Sequence, residues 1–139
     1  MSNFDFLGIY SKSLAALGLA AEKIFPHDPP SCVAKLRLLA EAIAKDVASR
    51  MGLPSQSTQV DLIRAIDKKL GLDPQLRQVF HLLRMRGNDA VHEVGAVIGY
   101  REALESLKVA REVALWFHRT FGSDAHYKPG PFQLPDDPS

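Results

Sequence analysis

Apolar residues recur every three or four positions in five stretches of this chain, which is the spacing of one buried helix face. The stretches lie at 6–25, from the 28–31 turn to about 51, at 58–70, at 73–87 and at 101–121. No segment alternates long enough for a sheet. The pattern therefore predicts an all-α fold, a helical bundle of about five helices with short loops. The second stretch is the most regular, with apolar residues at Val33, Leu36, Leu39, Ala40, Ile43, Val47 and Met51.

Capping residues define most of the predicted boundaries. Asp28 or Ser31 can cap the second helix, and Thr58 can cap the third. The pair Asp73-Pro74 opens the fourth helix, because proline is tolerated at a first helical position. Gly87-Asn88 predicts the end of that helix, since glycine and asparagine commonly occupy the left-handed position after a helix.

The composition changes after Gly122. The segment from Lys128 to Pro138 is rich in proline, which excludes a helix and favours an extended chain. We therefore expect a helical bundle domain at 1–122 and an extended Pro-rich tail at 123–139, serving as a linker to further domains.

Length, composition and net charge limit the classes of protein to which this chain could belong. A chain of 139 residues with 46% hydrophobic residues fits one globular domain. It has no apolar run of about eighteen residues, so no membrane partner is expected. It has no signal peptide, and its one cysteine, Cys32, excludes an internal disulfide, so we expect a cytoplasmic protein. The net charge is +1 with dispersed Lys and Arg, which argues against tight autonomous DNA binding.

The densest polar chemistry lies between Leu83 and Glu93. His92 can exchange protons near neutral pH, and an arginine can hold a phosphate through its planar fork. Metal-independent RNA cleavage by 2′-hydroxyl attack needs these two groups. The candidate catalytic residues are thus Arg84, Arg86 and His92.

A structural role is the alternative for the same stretch. Arg84 would form a partly buried pair with Glu41, and breaking that pair would cost about 3 kcal/mol. His92 would brace the next turn by hydrogen bonds. The structural or binding cluster then comprises Glu41, Arg84, Gly87, Asn88, His92 and Glu93.

Other kinds of site find little support in the sequence. No His-x-x-x-His or Glu-x-x-His pair indicates a metal site, and no Gly-rich phosphate loop is present. Cys32 lies within an apolar helical stripe, which favours a core role over a nucleophilic one.

The pattern Leu83-Arg84-x-x-Gly87-Asn88-x-Ala90-Val91-His92-Glu93 resembles the signature of a helical domain of unknown function at the N-terminus of type I restriction enzyme R subunits and related helicases. Blocks at 35–41, 115–121 and 128–132 agree with it. That domain is similar to the HEPN group (higher eukaryotes and prokaryotes nucleotide-binding). Active HEPN members are helical bundles that use an Arg and a His with four to six residues between them, and they often dimerise with these motifs facing each other.

The chain departs from the active pattern. Arg84, which matches the family signature, has seven residues between it and His92. Arg86 has five residues between it and His92 but is followed by Gly87, where active members usually carry a polar residue. The resemblance therefore implies a non-catalytic accessory domain of an R subunit. It would have no cofactor of its own, since ATP and magnesium would serve only the parent protein.

Its partners would be other restriction-complex subunits or domains, weakly bound nucleic acid, and a second copy in a homodimer. The alternative from a different class is a stand-alone HEPN-type ribonuclease that acts as a toxin or defence effector. A nucleotide-binding bundle is a further alternative.

Overall fold

The computed structural model describes residues 2–92 and 98–135, and within them it is all-helical with no strand. A short 3-10 helix, Asp5–Ile9, precedes the α-helices. The five α-helices are α1 (Lys12–Ile24), α2 (Pro29–Arg50), α3 (Gln59–Leu70), α4 (Pro74–His92) and α5 (Tyr100–Phe121). The predicted five-helix bundle is confirmed. None of these helices is both long and apolar enough to cross a bilayer.

Helix α2 lies at the centre of the bundle and packs against the other four α-helices. Its predicted apolar stripe is buried along its length, apart from the half-buried Met51 at its end. Each fully buried Leu or Ile contributes roughly 1.5–3 kcal/mol, so a helix buried on several sides anchors the fold. Its fully buried members include Val33, Leu36, Ile43 and Val47.

The predicted caps are present. The Asp28 carboxylate accepts a hydrogen bond from the Ser31 amide at 3.2 Å, and the Thr58 hydroxyl accepts one from the Asp61 amide at 3.1 Å. Gly71 ends α3 in the left-handed region with φ 69°, a conformation that costs glycine little. These caps were sufficient to predict where α2 and α3 begin and where α3 ends.

The first predicted helix, 6–25, is divided in the structure. The 3-10 helix ends at Ile9, and α1 begins at Lys12. Ser11 has an extended backbone and its hydroxyl accepts from the amides of Ser13 and Leu14, so it is the true N-cap of α1. The apolar spacing continues across this break, which is why periodicity alone missed it.

The fourth helix does not end at Gly87-Asn88, and that prediction was wrong. Helix α4 continues to His92, and Gly87 is not among the glycines with positive φ. Gly87 is buried, and a Cβ built on it would overlap the Arg37 side chain of α2. The glycine thus permits close packing of two helices instead of stopping one. Residues 93–97, which follow α4, lie outside the described part of the chain.

The tail first turns at 124–127, where the Tyr127 amide donates to the Asp124 carbonyl at 3.2 Å, and from 128 to 135 it has neither helix nor strand and lies along α5. The Arg119 guanidinium donates to the Tyr127 carbonyl at 3.0 Å, and the Lys108 ammonium lies 5.7 Å from the centre of the Phe132 ring. Because later tail residues meet earlier α5 residues, the tail runs antiparallel to the helix. It ends beside Asn3, where the Gln133 amide donates to the Asn3 side-chain oxygen at 2.8 Å and the Asn3 side-chain amide donates to the Gln133 carbonyl at 2.8 Å.

Candidate functional site

The candidate residues of α4 occupy two sides of that helix. Arg84, Asn88 and His92 follow one another at intervals of four residues, so they lie along one side. Arg86 lies two residues after Arg84, about 200° around the helix axis. The two candidate arginines therefore point in nearly opposite directions.

Arg86 faces α5 and is held there. Its guanidinium donates to the Glu102 carbonyl and to the Ser106 hydroxyl, both at 3.3 Å. It also forms an ion pair of 2.7 Å with Glu105, and its side chain is only 21% exposed. With these partners, Arg86 joins α4 to α5 instead of projecting towards a phosphate beside His92.

The predicted Glu41–Arg84 ion pair is not formed among the described residues. Glu41 accepts from the Arg37 Nε at 2.9 Å, and the Arg84 Nη2 lies 3.0 Å from His81 Nδ1. Arg37 stands one turn before Glu41 on the same helix, so it reaches the carboxylate without any tertiary contact. The Nε of Arg84 is enclosed and has no hydrogen-bond partner in the described part of the chain.

The other members of the predicted cluster have different environments. Gly87 is buried against α2, whereas Asn88 is exposed beside Arg84. His92 is exposed at the last residue of α4. Glu93 lies outside the described residues.

A groove of about 630 Å³ lies between α2, α4, the α2–α3 loop and the first turn of α3. We call it the α2–α4 groove. It brings together Glu41, Arg84 and Asn88 from the predicted cluster without a direct Glu41–Arg84 bond. Its charged and polar lining comprises Arg37, Glu41, Lys45, Gln56, Ser57, Thr58, Gln59, Asp61, Arg84 and Asn88.

Sequence reasoning missed Arg37 and Lys45 as lining residues of this groove. Both stand four residues from Glu41, so helical spacing placed all three on one side of α2. The α2–α3 loop, which supplies another wall of the groove, carries no motif that predicts its position. From the sequence, therefore, only the α2 wall of the groove could be predicted.

Neither a metal set nor an activated thiol lies in the described part of the chain. No three His, Cys, Asp or Glu side chains are grouped so as to hold a metal there. Cys32 is buried, and burial, followed by the charges of Glu22 and Asp28, raises its pKa to about 12. A thiol with that pKa stays protonated at neutral pH, so Cys32 belongs to the core.

Comparisons with known proteins identify a family and a relative of this chain. The model of a family described as "Domain of unknown function (DUF4145)" matches residues 19–118. The chain is also 33% identical over 135 residues to the type I restriction enzyme EcoKI endonuclease subunit of Escherichia coli (strain K12). That match covers 97% of this chain but only 11% of the relative's length. No solved structure was found to match the chain.

Proposed function

This chain belongs to the DUF4145 family, and from that premise we propose that it is a non-catalytic accessory domain of a type I restriction endonuclease R subunit. In this proposal the domain mediates interactions within a DNA restriction system. Its HEPN-like bundle supplies a rigid surface for other subunits. The similarity to the EcoKI endonuclease subunit along nearly the whole chain supports the assignment.

The non-catalytic part of the proposal is supported by the contacts that bind the Arg86 side chain to α5. Of the two arginines, only Arg86 has the spacing to His92 that active HEPN members use, and its guanidinium is bound to Glu102, Glu105 and Ser106. A catalytic arginine must direct its donors at the reacting phosphate. Chemistry that uses ATP and magnesium would then belong to other domains of the parent polypeptide, and the domain itself would need no cofactor.

The test compares the intact parent polypeptide with a version that lacks residues 1–139. We expect deletion to reduce assembly with the other restriction subunits, while each assembled complex keeps its ATP-dependent DNA cleavage. Size-exclusion chromatography measures assembly, and cleavage is normalised to the amount of complex. Unchanged assembly combined with lost cleavage would contradict an accessory role.

A ribonuclease is the second candidate function, favoured by the position of Arg84. Arg84 lies on the same side of α4 as His92, and its Nε has no partner among the described residues. The test incubates the chain with total RNA in EDTA, using His126→Ala in the exposed tail as the matched histidine control. Cleavage that is lost in His92→Ala and kept in His126→Ala would overturn the accessory proposal.

The proposal extends to a homodimer in the cytoplasm that forms through α4. Val91 is 57% exposed and lies within about 20° of Arg84 around the helix, so a facing copy would cover it. We expect Val91→Asp to lower the molar mass measured by sedimentation equilibrium, because a buried unpaired carboxylate is costly. The same substitution at Leu134, which is 56% exposed in the tail, serves as the control.

A further inference from the structure

The α2–α4 groove is lined by three cationic side chains and two carboxylates. Arg37, Lys45 and Arg84 line it together with Glu41 and Asp61. Both carboxylates are already ion-paired, Glu41 with Arg37 at 2.9 Å and Asp61 with Arg64 at 3.5 Å. Among the described residues, Lys45 and Arg84 are therefore left without an anionic partner.

Arg84 is the better organised of these two cations. Its side chain is half-buried, and its contact with His81 Nδ1 orients the guanidinium. Its enclosed Nε has no acceptor within the described chain. The other four N–H donors of the guanidinium are on its two Nη atoms, and these are the donors that an anion in the groove would contact.

The start of α3 adds to the positive character of the groove. Gln59 and Val60, in the first turn of the helix, line it beside the capping Thr58. The N-terminal end of a helix carries a partial positive charge and presents backbone amides to anions. Asp61 offsets part of this charge, so the side chains of Lys45 and Arg84 remain the main attraction.

We propose that the α2–α4 groove binds backbone phosphate of a nucleic-acid strand, with Arg84 and Lys45 as the principal contacts. Asn88 supplies an adjacent amide. A second cavity of about 90 Å³ shares Arg84 as a wall, but its other arginine, Arg77, is paired with Asp67 at 3.2 Å. Lys45 and Arg84 come from different helices, so they suit two phosphates of one strand better than one isolated ion. Two unpaired cations give a weak, salt-sensitive contact, in keeping with a net charge of only +1.

This inference rests on the proposed function, because it gives the accessory domain a ligand. The experiment measures fluorescence anisotropy of labelled single-stranded DNA, duplex DNA and single-stranded RNA on this chain at about 50 mM salt. Inorganic phosphate and pyrophosphate are tested as competitors. The variants are Lys45→Gln and Arg84→Gln, and the matched control is Arg101→Gln, an exposed arginine of α5 that does not line the groove.

We expect each groove variant to weaken strand binding by about three- to tenfold and to reduce the salt slope by about 0.7–0.9, the value for one lost phosphate contact. Arg101→Gln should leave both quantities unchanged. Lys45 is exposed, so its substitution leaves folding intact, and thermal unfolding checks Arg84→Gln separately.

Two results would overturn the assignment: no strand binds at low salt, or Arg101→Gln weakens binding as much as the groove variants do. A rise in the thermal midpoint with pyrophosphate, without binding of any strand, would overturn the strand and identify a small phosphate compound instead. If the groove fails these tests while deletion of the domain still prevents subunit assembly, the accessory function stands. If strands bind but assembly does not depend on the domain, the accessory function fails.

Discussion

At Gly87, one methyl group decides how closely α4 can approach α2. Alanine normally stabilises a helix interior by about 1 kcal/mol relative to glycine. At this position the added Cβ would overlap the side chain of Arg37. Steric overlap in a packed interface typically costs about 1–3 kcal/mol, which outweighs the gain in helix propensity.

We therefore expect Gly87→Ala to lower the free energy of unfolding by about 1–2 kcal/mol, as measured by urea denaturation. Gly8→Ala is the control, because a Cβ there would meet only the Ala15 Cβ at 3.9 Å, an ordinary contact distance. That variant should be as stable as the wild type. Equal stability of both variants would show that α2 and α4 are not in tight contact at Gly87.

The two arginines of α4 should differ in their effect on stability. Arg86→Met removes the contacts with Glu102, Ser106 and Glu105, and we expect it to cost about 1–2 kcal/mol, because Glu105 is 55% exposed and its ion pair is partly screened. Arg84→Met removes no ion pair and should change the free energy of unfolding by less than about 0.5 kcal/mol. Paired thermal and urea unfolding curves check the order. A larger loss for Arg84→Met would revive a structural role for that residue.

Sequence reasoning at this scale identified the polar residues but not their partners. It recognised Glu41 and Arg84 as charged groups beside apolar stripes, and both line one groove. It predicted an ion pair between them because the sequence does not give the rotation of α4 about its own axis relative to α2. The pair between Glu41 and Arg37 forms within one helix and needs no tertiary contact. Such a nearby arginine is overlooked when only distant partners for Glu41 are considered.

At the scale of elements, the boundaries of α2 and α3 with chemical caps were predictable, whereas the boundary capped by Ser11 was not. Asp28, Thr58 and Gly71 end or begin helices where side-chain or glycine chemistry indicates. The break at Ser11 was hidden by a continuous apolar pattern, and Gly87 was misread because a helix stop and a close helix contact both favour glycine. Only the packing of α4 on α2 distinguishes those two roles.

The tail was predicted as extended, but its docking on α5 could not be read from its composition. Phe132 packs against the core and beneath the Lys108 ammonium. We expect Phe132→Ala to lower the thermal midpoint, in line with a loss of about 1–2 kcal/mol for a half-buried aromatic ring. Leu134→Ala is the matched control, since Leu134 is 56% exposed. Equal midpoints for the two variants would mean that the tail contributes little to stability.

For the molecule as a whole, two acidic groups whose pKa is raised by burial, the Cys32 thiol and the Tyr10 hydroxyl, lower the free energy of unfolding at alkaline pH. Burial raises the pKa of Cys32 from 9.0 to about 12, and burial also raises the pKa of Tyr10 above 10.0 against the opposing charge of Arg50. A raised pKa means that the unfolded state loses the proton first. The thiol's contribution is therefore complete below pH 9 and is lost as the pH rises towards 12.

We expect the free energy of unfolding to fall as the pH rises above 9.0, and to fall less steeply in Cys32→Ala. Urea unfolding at several pH values measures the slope, and the cavity left by alanine affects all pH values alike. Identical slopes for the two proteins would show that the Cys32 thiol does not contribute to the pH dependence.

The reciprocal hydrogen bonds between Asn3 and Gln133 make the path of the chain nearly a closed ring. The fold should therefore not depend on the order in which the helices follow one another along the chain. A circular permutant that joins the two ends by a short Gly-Ser linker and opens between Ser55 and Gln56, both exposed, should reach the same bundle with the same far-ultraviolet circular dichroism. A domain in which Asn3 and Gln133 are neighbours can also be inserted into a surface loop of another protein without stretching its host, and a permutant that fails to fold would show that this proximity is insufficient.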